Sequence, residues 1–125
     1  MSFLDIAGLS KSYGEGATRT EVLGGIDLSV AEGEFLAIVG FSGSGKTTLI
    51  SAIAGLITPD SGTIKIRGSD IAGPGPDRGI VFQSYSLMPW LSVYGNVALA
   101  VNAVHKRKSA TERDAVTHKY IDMVG

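Results

Sequence analysis

The sequence predicts an α/β fold, and three consecutive segments carry that prediction. An uninterrupted apolar run at residues 35–39 suits a strand buried on both faces, as in a mixed or parallel sheet. A glycine-rich segment, residues 40–47, follows it directly. Beyond that segment, apolar residues recur at the spacing of one helix face, which predicts an amphipathic helix. These residues are Leu49, Ile50, Ile53, Ala54, Leu56 and Ile57.

The first third of the chain predicts further strands. Residues 3–6 and 26–30 alternate apolar and polar side chains, the pattern of strands with one buried face. The glycine-containing residues 14–18 predict a turn or loop between them. Residues 31–34 predict a tight turn that leads into the apolar run.

The middle of the chain predicts a return from helix to strand. Pro-Asp-Ser-Gly at residues 59–62 has strong turn chemistry and is expected to end the helix. Residues 64–67 alternate isoleucine with a basic residue and predict a short strand with a solvated face. Residues 72–77, rich in glycine and proline, predict a loop. Residues 80–82 predict a second buried strand, which ends at Gln83.

The last third of the chain predicts helices. Apolar residues from Val93 to Val104 recur at helical spacing. The basic residues 106–108 are expected to form a solvated connection, with contact to lipid or nucleic acid as the lesser alternative. Ser109 and Glu112 have the spacing of a capping box, which predicts the start of a last helix. That helix is expected to bury Val116, Tyr120 and Met123.

Composition excludes several classes of protein. The 125 residues are enough for one domain with a core, and a net charge of −1 provides no basic surface for nucleic acid. The absence of cysteine excludes a disulfide framework and thiolate metal sites. The amino terminus lacks a secretory signal pattern, and no apolar run is long enough to span a bilayer. We therefore expect a soluble, cytosolic chain.

The glycine-rich segment carries the chemistry. Its sequence, Gly-Phe-Ser-Gly-Ser-Gly-Lys-Thr, matches the phosphate-binding pattern G-x-x-x-x-G-K-S/T without departure. Glycines let consecutive N–H groups turn inward to form an anion nest, and the following helix adds its positive dipole end. A chance glycine-rich turn would not also have a strand before it and a helix after it. The predicted ligand is a nucleoside triphosphate, bound by Gly40, Phe41, Ser42, Gly43, Ser44, Gly45, Lys46, Thr47 and Thr48.

Three side chains of this segment have individual predicted roles. Lys46 supplies a mobile charge for the outer phosphates. Thr47 offers a hydroxyl to Mg²⁺, and Thr48 is within reach of an inner phosphate. This loop alone does not distinguish kinases, GTPases and motor-type ATPases.

Segments outside the loop resemble the ATP-binding subunits of ABC transporters, and the resemblance covers essentially the whole chain. It implies a P-loop NTPase fold, with a RecA-like core at residues 1–83, an antiparallel β edge, and the start of a helical subdomain at residues 84–125. The segments that carry the resemblance are residues 9–13, 23–28, 32–34, 54–56, 59–62, 66–68 and 80–83.

The resemblance also implies roles for two residues outside the loop. Tyr13 corresponds to an aromatic residue that stacks on adenine; the alternative, a tyrosine that fills a sheet edge, is equally plausible from the residues alone. Gln83 corresponds to a glutamine that reaches Mg²⁺ and the attacking water, whereas standing alone it would be taken for a solvated residue at a strand end. Catalysis is thereby assigned to Lys46 and Gln83, and Mg²⁺ binding to Thr47 and Gln83.

Two further segments resemble the importers of nitrate, sulfonate, taurine and bicarbonate, with nitrate the first expectation. These are residues 73–78 and 84–91. The resemblance implies a second ATP-binding subunit, transmembrane permease subunits that dock near residues 85–94, an indirectly coupled solute-binding protein, and a peripheral location on the cytoplasmic face of the inner membrane. Trp90 is expected either in the docking groove or in the core. Gly95 departs from the family, which usually has an acidic residue there.

Parts of the family's hydrolytic machinery are not found in the sequence. There is no Leu-Ser-Gly-Gly-Gln signature and no strand ending in Asp-Glu, and neither His105 nor His118 matches the switch histidine. The resemblance therefore implies a chain truncated within the helical subdomain, inactive and poorly stable alone but an ATPase as the complete protein. One alternative is a non-hydrolytic remnant that ends at Gly125. A kinase or GTPase is disfavoured because no guanine-binding Asn-Lys-x-Asp is present.

Overall fold

The computed structural model describes residues 2–125 and consists of two compact units. The first unit ends at Arg78, and the second runs from Gly79 to Gly125. All described strands and one α-helix belong to the first unit, whereas the second contains two α-helices. No helix within residues 2–125 is long and apolar enough to cross a lipid bilayer.

The first unit is built on an antiparallel sheet. β1 (Ser2–Tyr13) and β2 (Thr20–Ala31) form its long pair, connected through a 3₁₀ turn at Gly16–Thr18. β3 (Ser61–Ile66) pairs with the other edge of β1, and β4 (Ser69–Asp70) pairs with β3. The strand order is β2-β1-β3-β4, and every described pairing is antiparallel. The expected antiparallel edge is thus present.

The core of the first unit lies between this sheet and α1 (Lys46–Ala54). One face of each strand contributes to it because successive strand side chains point to opposite sides of a sheet. The strands predicted at residues 3–6 and 26–30 are confirmed, each within a longer strand. The buried cluster comprises Ile6, Leu9, Leu23, Leu49, Ala52 and Ile64.

Helix α1 ends earlier than predicted. Its last residue is Ala54, so the turn at residues 59–62 is not what stops it. Gly55 adopts a left-handed conformation with φ 82°, and the Leu56 N–H donates to the Ser51 carbonyl at 2.9 Å. This is the common glycine-terminated helix end, in which bonds across the last turn satisfy carbonyls that have no helical partner. The prediction placed the stop at the proline and missed the glycine.

The two buried strands predicted at residues 35–39 and 80–82 are wrong for the described structure. Neither segment has regular secondary structure, and Phe35, Val39 and Val81 are 94%, 90% and 99% exposed. An apolar run becomes a strand only where a neighbouring strand accepts and donates its ladder hydrogen bonds. Among residues 2–125 the ladders involve only the four strands β1, β2, β3 and β4, and they include neither segment.

The second unit is a pair of helices with serine caps. α2 (Val93–Val104) and α3 (Ala110–Val124) are separated by the exposed basic residues 106–108, as predicted. The capping box at the start of α3 is confirmed, because Ser109 and Glu112 each accept the other's backbone N–H.

The face that α3 buries differs from the prediction. Thr117 is the buried residue of α3, whereas Val116 is half-buried and both Tyr120 and Met123 are exposed. The Thr117 hydroxyl can be buried because it donates to the Arg113 carbonyl at 2.9 Å within its own helix. A polar residue at the helix contact was not indicated by apolar spacing alone.

Polar bonds also connect α2 and α3. The Tyr94 hydroxyl of α2 donates to the Asp114 carboxylate of α3, and this bond raises the pKa of Tyr94. The His118 ring packs against the Tyr94 ring with centroids 5.2 Å apart. Tyr94 of α2 therefore contacts two residues of α3, Asp114 and His118.

Candidate functional site

The glycine-rich segment forms a tight loop, and its glycines are needed for different reasons. Gly43 and Gly45 adopt φ values of 79° and 100°, which other residues rarely adopt. Gly40 has an ordinary backbone, but a β-carbon there would lie 2.7 Å from the Ser44 hydroxyl oxygen. The Ser44 N–H donates to the Phe41 carbonyl at 3.0 Å and closes the turn. The loop geometry thus depends on the backbone angles of Gly43 and Gly45, whereas a β-carbon at Gly40 would displace the Ser44 hydroxyl.

The carboxyl end of the loop rests on β2. A β-carbon on Gly45 would lie 2.9 Å from the Val22 carbonyl oxygen and 3.1 Å from a methyl group of Leu23. Gly45 is itself buried. The close approach fixes the start of α1 against the sheet, which gives the loop a rigid base.

The Lys46 side chain folds back over the loop. Its Nζ donates to the carbonyl oxygens of Gly40 and Phe41, both at 2.6 Å, and to the Ser44 hydroxyl at 3.2 Å. These three bonds match the three donors of an ammonium group. The carbonyl groups of the loop therefore hold the Lys46 charge over the loop, where it can attract an anion.

The amino terminus of α1 has no side-chain cap, in contrast to those of α2 and α3. Its N-cap residue is Gly45, which has no side chain to accept a hydrogen bond. Ser92 and Ser109 perform that function for the other two helices. The first N–H groups of α1 consequently keep their donor capacity for an anion, and the helix dipole adds a positive partial charge there.

The remaining predicted loop residues are accessible. Phe41, Ser42 and Thr47 are exposed, and Thr48 is half-buried. The Thr47 hydroxyl has an oxygen atom that can ligate a metal ion, and Mg²⁺ prefers oxygen ligands. The first turn of α1 can therefore present a hydroxyl oxygen beside the loop.

Tyr13 lies at the end of β1 and is 45% exposed. Its register partner on β2 is Thr20, and Leu23 on the same strand is the residue that approaches Gly45. Three strand residues span about 10 Å. Tyr13 and the strand residue that approaches Gly45 thus belong to the same β1–β2 ladder, with their positions three residues apart along β2.

A charged cluster beside Tyr13 was not predicted from the sequence. Asp60 accepts the Ser12 N–H at 2.7 Å and lies 3.5 Å from the Lys11 ammonium and 3.4 Å from the Arg19 guanidinium. The Ser12 bond, followed by the charges of Lys11 and Arg19, lowers the pKa of Asp60. The only sequence signal was the Pro-Asp-Ser-Gly turn, which was interpreted as a helix stop.

Gln83 belongs to the second unit, where it is exposed and lies in an irregular segment. It is therefore not at the end of a described strand. Its roles toward Mg²⁺ and water remain predictions.

The segment at residues 85–94 is largely exposed. Trp90 is 76% exposed, so the alternative that it is a core residue of this unit is wrong. The Asn96 side chain holds the segment to α2, since its oxygen accepts the Met88 N–H at 2.7 Å and its amide donates to the Met88, Leu91 and Ser92 carbonyls. Sequence reasoning missed Asn96, because no sequence motif indicates that its side chain forms four hydrogen bonds to the backbone.

The site combines three features: a glycine loop packed on β2, a lysine folded over that loop, and a helix amino terminus without a side-chain cap. Together they define the P-loop NTPase class. Comparison with known proteins gives the family. The sequence profile described as "ABC transporter" matches residues 23–125, and the chain belongs to that family.

Curated relatives include ATP-binding proteins of anion transport. The chain is 42% identical to the bicarbonate transport ATP-binding protein CmpD of Synechocystis, over 99% of this chain and 44% of the relative. It is 44% identical to CmpC of Synechococcus elongatus, over 98% of this chain and 19% of the relative. The nitrate import ATP-binding protein NrtC of the same organism is 47% identical, over 80% and 15%. The chain thus spans less than half the length of these relatives.

Solved structures confirm the fold class. A dimeric structure of the ATP-binding cassette MJ0796 in a post-hydrolysis state, bound to ADP and Pi, matches with a TM-score of 0.82 and 28% identity, over 96% of this chain and 56% of that one. A second dimeric structure, described as MJ0796, a bacterial ABC transporter cassette, matches with a TM-score of 0.78 and 30% identity, over 90% and 53%. The resemblance to ABC transporter ATP-binding subunits is thereby confirmed.

Proposed function

We propose that this chain carries the ATP-binding region of the energy-coupling subunit of an ABC importer for a small anion. One observation carries the proposal: the Lys46 ammonium and the uncapped amino terminus of α1 converge on one glycine loop. A triphosphate has the negative charge and the acceptor oxygens that this arrangement lacks.

Lys46 and the loop amides bind the phosphates. The Lys46 ammonium is held by the carbonyls of Gly40 and Phe41, so it exchanges bonds to neutral oxygens for bonds to charged ones when phosphate enters. Thr48 is half-buried at the first turn of α1 and supports an inner phosphate. Tyr13 provides an exposed ring for the adenine base.

Thr47 and Gln83 supply oxygen atoms suited to Mg²⁺. A hydroxyl and an amide carbonyl fit a hard cation, and both side chains are exposed. The ion, when bound, neutralises charge on the phosphates and polarises the phosphorus–oxygen bonds. The Gln83 amide orients a water molecule by hydrogen bonding. It does not take the proton of that water, because an amide is not a base at neutral pH.

Hydrolysis of ATP and import of the anion are proposed for the complete protein. Bicarbonate and nitrate are supported by relatives named for the transport of these anions, which are 42% to 47% identical. Sulfonate and taurine are supported only by the sequence pattern at residues 73–78 and 84–91. The family membership disfavours a kinase or a GTPase.

The proposed partners are a second ATP-binding subunit and the transmembrane permease subunits. The matched cassette structures are described as dimeric. The exposed apolar side chains at residues 85–94, among them Leu87 and Trp90, suit the permease contact. The protein is then peripheral on the cytoplasmic face of the membrane, and a solute-binding protein is coupled to it only indirectly.

The test is the affinity of the complete protein for Mg-ATP, measured by isothermal titration calorimetry with wild type and Lys46→Ala. We expect a loss of at least about tenfold, the effect of removing one charge-assisted hydrogen bond. Lys65→Ala is the matched control, because Lys65 is an exposed lysine of β3 outside the loop. Equal affinities of wild type and Lys46→Ala would contradict the assignment of the loop.

A further inference from the structure

Lys11 is held in one position beneath the ring of Tyr13. Its ammonium donates to the Thr58 carbonyl at 3.0 Å and lies 3.5 Å from an Asp60 carboxylate oxygen. The same ammonium lies 5.3 Å from the centroid of the Tyr13 ring, the distance of a cation–π contact. The lysine side chain is 19% exposed, so solvent does not compete freely for the ammonium.

Asp60 fixes the strand on both sides of Lys11. Its N–H donates to the Ser10 carbonyl at 2.8 Å, and its carboxylate accepts the Ser12 N–H at 2.7 Å. Asp60 therefore continues the pairing of β3 with β1 beyond Ser61, with a side chain in place of a strand residue. Since Ser12 immediately precedes Tyr13, the carboxylate determines where the tyrosine leaves the sheet.

The two faces of the Tyr13 ring are therefore not equivalent. The Lys11 ammonium lies over one face, and the residue as a whole remains 45% exposed. An aromatic base stacks on a ring face that is free of other groups. The lysine also restricts the rotamers of the tyrosine, which reduces the conformational entropy lost when a base stacks on it.

We propose that Lys11, anchored by Asp60 and the Thr58 carbonyl, is a positioning residue that directs a nucleobase to the opposite face of Tyr13. This inference rests on the proposed function, because it requires that the loop bind the phosphates of the same nucleotide. In this proposal Lys11 increases the part of the binding free energy that comes from the nucleobase. The binding of the phosphates by the loop does not depend on Lys11.

A purely structural role predicts a different result. If the Lys11 and Asp60 contacts only attach the α1–β3 connection to β1, their loss disturbs the sheet and affects every ligand of the loop alike. If Lys11 acts through Tyr13, its loss affects ligands that have a base and spares ligands that have only phosphates.

The experiment compares ATP with inorganic tripolyphosphate, both with Mg²⁺, by isothermal titration calorimetry on the complete protein. We expect Lys11→Met to weaken ATP binding roughly threefold to tenfold and to leave tripolyphosphate binding unchanged. Lys11→Arg should restore most of the ATP affinity, because a guanidinium keeps the charge over the ring. Arg67→Met is the matched control, since it removes a cation 5.2 Å from the ring of Phe3, at a different edge of the sheet.

A double-mutant cycle with Tyr13→Ala completes the test. Lys11→Met should cause no further loss of ATP affinity in the Tyr13→Ala background, because its effect passes through the ring. Equal losses for ATP and tripolyphosphate, or an undiminished loss without the ring, would overturn the positioning role. Failure of wild type to bind either ligand, or wild-type affinity in Lys46→Ala, would instead overturn the proposed function.

Discussion

Gly55 faces the backbone of Gly73 so closely that a β-carbon on Gly55 would overlap the Gly73 carbonyl group. The contact joins the carboxyl end of α1 to the loop that follows β4. Arg78 strengthens the same junction, since its guanidinium donates to the Ile53 carbonyl at 3.0 Å and to the Gly73 carbonyl at 2.5 Å. The helix end and the loop therefore behave as one packed element.

We predict that Gly55→Ala destabilises the first unit by about 2–4 kcal/mol, because it adds a steric overlap to the cost of a left-handed alanine. Gly68→Ala is the matched control: Gly68 has the same φ of 82°, but a β-carbon there meets no atom within 4 Å. Urea unfolding measures both variants. Equal destabilisation would mean that the Gly73 contact has no energetic weight.

Gly95 lies in the first turn of α2, where its N–H donates to the Ser92 cap at 3.0 Å. Replacing it with alanine should stabilise the helix by about 0.5–1 kcal/mol, because glycine is unfavourable within helices. Glutamate should add about 0.3–1 kcal/mol by completing a capping box and placing negative charge at the positive end of the helix dipole.

Thermal unfolding of Gly95→Ala and Gly95→Glu tests this prediction, with Gly95→Gln to separate the capping bond from the charge. The Ser109 and Glu112 pair at the start of α3 shows the geometry that Gly95→Glu should reproduce. A β-carbon at Gly95 would lie 3.3 Å from the Leu91 β-carbon, so a small shift is required. A glutamate variant no more stable than alanine would refute the capping part.

Asn96 should control the order of the segment before α2. Asn96→Ala removes four side-chain bonds to the Met88, Leu91 and Ser92 backbone and should cost about 1–3 kcal/mol. Asn102→Ala is the control on the same helix, because Asn102 makes a single bond, at 3.5 Å, to Arg113. Amide hydrogen exchange at Met88 should accelerate only in Asn96→Ala; unchanged exchange would show that other contacts hold the segment.

Asp60 should make stability depend on acid pH. Its pKa is lowered from 3.8 in the folded chain, chiefly by the Ser12 N–H and then by Lys11 and Arg19. A lowered folded pKa stabilises the native state above the unfolded value, and that contribution is lost as pH falls below 3.8 through the folded pKa. Urea unfolding between neutral pH and pH about 2 should show a smaller loss for Asp60→Asn than for wild type. Parallel pH profiles would contradict the assignment to Asp60.

Features determined by nearby residues were predicted well from the sequence. The capping box of Ser109 and Glu112 depends on residues three apart, and it is present. The glycine loop likewise depends on backbone angles within a few residues, and Gly43 and Gly45 adopt the predicted left-handed angles, whereas Gly40 does not. Local stereochemistry is sufficient for such features because the interacting groups are neighbours in the chain.

Features determined by distant partners were missed. Residues 35–39 have the composition of a strand, but strand formation depends on a neighbour that the segment does not itself contain. Asp60 meets Ser12 across 48 residues of sequence, so no local pattern could reveal its hydrogen bond. Trp90 has a side chain typical of cores, yet its burial depends on elements packed around it.

The uncapped start of α1 makes this helix incomplete without an anion. Among the α-helices described in residues 2–125, α2 and α3 each have a serine that accepts one of their first amides, and α1 has no such side chain for its own first amides. Phosphate oxygens would satisfy those amides, so part of the binding free energy appears as added stability of the folded chain. The melting temperature should therefore rise with nucleotide concentration, and slowed hydrogen exchange of the Thr47 and Thr48 amides should report occupancy of the loop.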